Sequence, residues 1–136
     1  MILDLLAVAA GGAVGALLRF GLLHRSEASA RSAGGPWDAG ARATFAANLA
    51  GCALFGFWVA AAAAGRVGEN LDAGSANALD LFVLTGLCGG WTTFSTVVGD
   101  GVRLRSDRGG RSAFAYAAAT GILGILALWI GLRIGA

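Results

Sequence analysis

The sequence has no lysine, a single histidine, a single proline and two cysteines in 136 residues, and only 13% of it is charged. Each scarcity excludes something. A net charge of +2, carried in the links between apolar runs, gives no basic stripe for nucleic acid. Cys52 and Cys88 both fall inside apolar runs. They are too few and too separated for a disulfide or metal framework, and read as small buried hydrophobes. His24 stands alone at the end of a run and reads as interfacial, so no His, Cys and carboxylate cluster argues for an enzyme. The acids near the apolar runs, Asp4, Asp80 and Asp100, sit at segment ends, leaving mid-run positions without a carboxylate. With Ala and Gly so abundant, the use of arginine for all ten basic residues reads as nucleotide composition rather than function.

What is present is apolar surface. Hydrophobic residues make up 57% of the chain, too much for a soluble domain of this length. They gather into four blocks, roughly 5–23, 43–64, 79–98 and 113–132. Each is about 20 residues, the length at which an α-helix crosses a hydrocarbon core of about 30 Å. The expected fold is all-α, a single membrane domain over 1–136 with four transmembrane helices. The leader Met1-Ile2-Leu3-Asp4 is acidic and the first block runs through Arg19, so that block is expected to be a span rather than a cleaved signal. No tandem repeat is visible.

The links carry breakers and charge. The first holds Arg25, Glu27, Arg31, Gly34-Gly35-Pro36, Trp37 and Asp38; Gly-Gly-Pro stops regular structure and Trp37 suits a headgroup anchor. The second, from Gly65 to Ala78, holds Arg66, Glu69 and Asp72 among Gly65, Gly68 and Gly74; the third, from Gly99 to Ser112, is arginine-rich. Four crossings place Arg25, Arg31, Arg42, Arg103, Arg105, Arg108 and Arg111 on one face and Arg66 and Arg133 on the other. Positive charge in short links stays cytoplasmic, so a fixed orientation with both termini extracytoplasmic is expected.

Four features stand out within the spans, and three of them have both a bland and a functional reading. Gly11 and Gly15 form a GxxxG pair that suits close helix packing. Arg19, near the end of that span, either snorkels to the headgroups or sets a positive charge at the mouth of an anion path. Asn48 either bonds across to a neighbouring helix or offers its amide donors to an anion. The run from Gly86 to Thr96, GLCGGWTTFST, is the most informative. Gly89 and Gly90 lower the cost of leaving helical geometry, so a helix break is expected there, near the middle of the third span. The hydroxyls of Thr92, Thr93, Ser95 and Thr96 can re-satisfy freed backbone groups or line an ion path. Among them sits Phe94, whose positive ring edge can accept an anion without a full charge.

In order along the chain, GGAVGALLRF (Gly11 to Phe20), TFAANLAGCALFGF (Thr44 to Phe57) and GLCGGWTTFST resemble the motifs of the Fluc, or CrcB, fluoride channel family. The resemblance covers essentially the whole chain, and the third motif is the specific one. It implies an antiparallel dimer enclosing two pores, passive export of cytoplasmic fluoride across the cell membrane, and fluoride resistance as the outcome. It implies a structural sodium ion at the dimer centre, held by backbone carbonyls that map to Gly89 and Thr92. The pore lining maps to Asn48, Phe94, Thr93, Ser95 and Thr96, with Arg19 as the arginine of the first motif.

Two departures stand out. The family pattern reads TTFSTF, whereas this sequence has Val97 in place of the second phenylalanine. The seven-to-two arginine bias also suits one orientation, not the two that a dual-topology homodimer requires. Together they favour a heterodimer with a related subunit of opposite topology over a homodimer. The competing functions are a small four-helix proton-coupled drug exporter, which would need a carboxylate at membrane depth, and a non-transporting structural membrane subunit. The latter explains the glycines but not Asn48, Arg19 and the hydroxyls together.

Overall fold

A computed structural model describes residues 1–29, 37–67 and 77–136, and among them it is all-helical. Arg31, Gly34, Gly35, Pro36, Gly68, Glu69, Asp72 and Gly74 lie outside the described residues. Helix α1 is Ile2–Ser29 and α2 is Ala39–Ala63. The third span, Ala78–Arg108, is bent and has two parts. Its first part, α3 (78–91), opens with one α-turn, Ala78–Asp80. It passes through a π-helical stretch, Leu81–Cys88, and closes with a second turn, Gly89–Trp91. The second part is α4, Phe94–Arg108, and the last helix, α5, is Gly110–Gly135. Among the described residues, four helices are therefore long and apolar enough to cross a membrane.

The helices run beyond the apolar blocks. Of the third link expected from Gly99 to Ser112, only Gly109 is non-helical, with φ +88°. Arg105 and Arg108 lie in the last turn of α4, where cations meet the negative end of the helix dipole. Charge in that stretch therefore lies on a helix rather than in a loop. Gly109 then supplies the left-handed turn that non-glycine residues rarely adopt.

Packing pairs helices that are not neighbours in sequence. α1 lies parallel to α3, and α2 parallel to α5, each pair through glycines that let the backbones touch. A Cβ at Gly86 would come 2.7 Å from the Val8 carbonyl oxygen and 2.9 Å from Gly11 Cα, and one at Gly15 would come 2.7 Å from Trp91 N. In the second seam, a Cβ at Gly131 would come 2.8 Å from Phe57 N, and one at Gly56 3.0 Å from Leu132 N. Phe82 and Gly86 lie in the π-helical stretch and Gly90 just beyond it, and all three meet the backbone of α1.

Little of the apolar surface is internal, as suits a lipid-facing bundle. A small cluster of Ala41, Leu104 and Tyr116, flanked by Trp37, Phe45, Val97 and Ala113, fills the arginine-rich end. Trp37 meets Tyr116 edge-on, with ring centroids 5.2 Å apart, so it packs into the bundle as well as standing at its end. Asp38 caps α2 by accepting from Ala41 N–H at 2.7 Å.

Candidate functional site

The third span breaks at Thr92 and Thr93, not at the glycines before them. Gly89 keeps helical angles (φ −64°, ψ −38°), whereas Thr92 (−78°, 156°) and Thr93 (−156°, 123°) are extended. The expectation of a break at Gly89 and Gly90 is thus corrected. Gly90 is needed for close approach, since a Cβ there would lie 2.9 Å from Gly12 Cα. The threonines break the helix because their side chains and Asn48 replace the backbone partners it loses.

That replacement is specific. Asn48, 9% exposed on α2, accepts from Thr93 N–H at 2.7 Å and donates to the Thr93 carbonyl at 3.2 Å. Thr92 donates to the Cys88 carbonyl twice, from its N–H at 2.9 Å and its hydroxyl at 2.8 Å. Thr93 Oγ1 then caps α4 by accepting from Thr96 N–H at 3.3 Å. In an unbroken helix the Gly89 carbonyl would accept from Thr93 N–H, and the Thr92 carbonyl from Thr96 N–H. Both donors are engaged elsewhere, so the carbonyls of Gly89 and Thr92 lose their helical partners. A Cβ at Gly89 would meet nothing within 4 Å, so this position of the helix borders open space.

The hydroxyls gather on the far side of the break. Thr93 Oγ1 lies 3.2 Å from Ser95 Oγ and 3.1 Å from Thr96 Oγ1. Ser95 and Thr96 are exposed, and the Phe94 ring is 82% exposed. Beside them runs an apolar groove of about 740 Å³ between α2, α4 and α5, whose lining includes Asn48, Thr92, Thr93, Phe94, Val97 and Thr120. Arg19 is not part of it. It lines a smaller cleft, about 220 Å³, with Thr44 and Thr96. Thr93 faces the groove and Thr96 the cleft, and their hydroxyls are in hydrogen-bond contact, so the short polar row joins the two cavities.

The structure therefore brings Asn48, Thr92, Thr93, Phe94, Ser95 and Thr96 together, reaches Arg19 through Thr96, and leaves Val97 between the groove and the Tyr116 cluster. One amide N–H of Asn48 is taken by Thr93, so one, not two, remains for a ligand. Cys88 is buried and Cys52 half-buried in the groove lining, neither in a disulfide. His24 stacks on Phe20, with ring centroids 6.3 Å apart.

Sequence reasoning missed a buried polar set. Asp80, at a segment end as expected, is 1% exposed and accepts from Trp58 Nε1 at 2.8 Å. Asp100 is 4% exposed and accepts from the Tyr116 hydroxyl at 3.3 Å. Thr120 donates to the Tyr116 carbonyl at 2.8 Å. The i, i+4 spacing of Tyr116 and Thr120 was the available signal.

A family model described as "CrcB-like protein, Camphor Resistance (CrcB)" matches residues 6–132. The chain belongs to the CrcB family. Every residue of the site, from Arg19 to Val97, lies inside the matched stretch. The chain is similar to the fluoride-specific ion channel FluC of Phocaeicola vulgatus, 34% identical over 129 residues and 95% of each chain. It is likewise similar to FluC of Nitratidesulfovibrio vulgaris, 37% identical over 125 residues, 91% of this chain and 90% of that one. FluC 1 of Listeria monocytogenes is 33% identical over 138 residues, 99% of each chain. With four apolar helices of spanning length, this CrcB-family chain is a multi-pass membrane protein.

Proposed function

We propose that this chain forms a fluoride-selective ion channel that passively exports cytoplasmic fluoride. The observation that carries the reading is the hydroxyl row at the Asn48–Thr93 clasp. Fluoride is small and tightly hydrated, so a selective path must replace its water with several donors. Thr93, Ser95 and Thr96 at the head of α4 and the remaining Asn48 N–H from α2 supply donors. The Phe94 ring adds a polarised edge, and Arg19 adds positive charge in the cleft beyond Thr96. Because the donors are neutral and several, they bind without trapping, as conduction requires. The names of the relatives support the same ion.

The carbonyls of Gly89 and Thr92 fit a structural sodium ion, since each has lost its helical donor and hard cations take oxygen ligands. Two chains would share that ion, each contributing its break, in an antiparallel dimer that covers the apolar groove. Val97 supplies no second ring edge, and the arginines gather at one end. Both favour a heterodimer with a related subunit inserted the opposite way. In the cell membrane, this chain would keep its termini extracytoplasmic.

The test is fluoride efflux from liposomes carrying this chain alone, or with an opposite-topology relative. Selective fluoride efflux with the pair and little from the single chain is expected. Robust efflux from the single chain would sink the heterodimer, and no fluoride flux in either case would sink the channel reading.

A further inference from the structure

The polar row does not end at Thr96. After the capping Thr93, Thr96, Asp100 and Arg103 follow at intervals of three, four and three residues, and the spacing of the last three sets them on one face of α4. A carboxylate thus stands one turn beyond Thr96, about 5–6 Å on, towards the arginine-rich end. Asp100 is almost fully buried, and its Oδ2 accepts from the Tyr116 hydroxyl. Its Oδ1 lies 3.9 Å from Arg103 Nη1. The same Nη1 lies 3.8 Å from Asp38 Oδ2. Among the described residues, the charged and titratable groups around Asp100 are therefore Arg103 on its own helix, Asp38 at the head of α2 and Tyr116 from α5. From α1, Arg19 shares the cleft with Thr96.

An anion handed along Thr93 and Thr96 towards this end approaches a buried negative charge. Repulsion at such a separation is strong where water is scarce. Asp38 is different, being 35% exposed and seated at the positive end of α2. We propose that Arg103 is the counter-charge that lets an anion pass Asp100, held in place by its second contact with Asp38. It is a positioning residue: it touches the carboxylate and not the ion. The inference rests on the anion-path reading above.

The experiment measures fluoride efflux from liposomes with whichever assembly conducts, this chain alone or with its opposite-topology relative. The chain is compared as wild type, Arg103→Gln, Arg103→Lys and Arg103→Gln with Asp100→Asn, each checked for assembly by size-exclusion chromatography. Arg103→Gln is expected to lower efflux about tenfold or more with the assembly retained, and Arg103→Lys to keep most of it. Removing the carboxylate as well is expected to restore efflux to within about threefold of wild type. An Arg103→Gln channel as fast as wild type overturns the inference, as does a double variant as slow as the single one. If Arg103→Gln fails to fold, the double variant decides: conduction supports the inference and its loss overturns it. Wild type that conducts no fluoride in any assembly removes the channel reading and this inference together. A conducting wild type with an indifferent Arg103 removes only the latter.

Discussion

Asn48 and Thr93 exchange two hydrogen bonds across 45 residues of sequence, the amide oxygen taking the Thr93 N–H and the amide nitrogen meeting its carbonyl. The side chain of α2 thus stands in for a missing turn of the third span. Two consequences coincide in one residue: the break is held open, and one amide N–H remains at the hydroxyls.

Asn48→Asp keeps an oxygen for the Thr93 N–H but replaces the donor with negative charge. Fluoride efflux should fall about tenfold or more while the protein still elutes as an assembled species. Undiminished efflux would remove Asn48 from the path.

Thr92→Pro removes the N–H that meets the Cys88 carbonyl and displaces the carbonyl assigned to sodium. The dimer should dissociate more readily and lose any stabilisation by sodium over a larger cation, as read by cross-linking in the two salts. An unaltered dimer would count against the Gly89 and Thr92 assignment.

Gly90→Val would drive a Cβ into the Gly12 backbone, and overpacking of this kind costs about 1–3 kcal/mol. Gly21→Ala enters open space and should change stability by no more than about 0.5 kcal/mol. Thermal unfolding in detergent distinguishes them, and equal midpoints would contradict the glycine seam.

Trp58→Phe strips Asp80 Oδ1 of its indole donor. Oδ2 of the same carboxylate is buried and lacks a donor among the described residues. Leaving a buried acceptor unsatisfied costs about 1–3 kcal/mol, so the unfolding midpoint should drop clearly. A neutral result would mean that the pair adds nothing.

Val97→Phe restores a ring one turn from Phe94. Efflux from this chain reconstituted alone should rise if the missing ring limits it. No change would move the reason for pairing from the ring to the orientation of the chain.

The four spans were legible because hydrocarbon thickness sets a length that apolar blocks report directly. So was the interruption of the third span, though not its position. Glycine at Gly89 and Gly90 advertises conformational freedom, but freedom is not use. Gly90 serves packing against Gly12, and the break falls where Asn48 can reach. That partner comes from another helix, so nothing local to the third span reveals it. The stretch after Gly99 misled for the opposite reason: arginines that look like a link also suit the exposed end of a helix. The Asp100–Tyr116 and Asp80–Trp58 contacts join distant segments and leave no periodic trace. The 3-4-3 row ending at Arg103 did leave one, but it crosses from apolar block into charged stretch and so divides between two readings.

The two glycine seams join first to third span and second to fourth, so neither can close while only half the chain has emerged from the ribosome. A nascent chain halted after α2 holds two unmatched glycine faces and no partner for either. Biogenesis of this protein therefore turns on the third span arriving, and a stalled or truncated product is left open to membrane quality-control proteases.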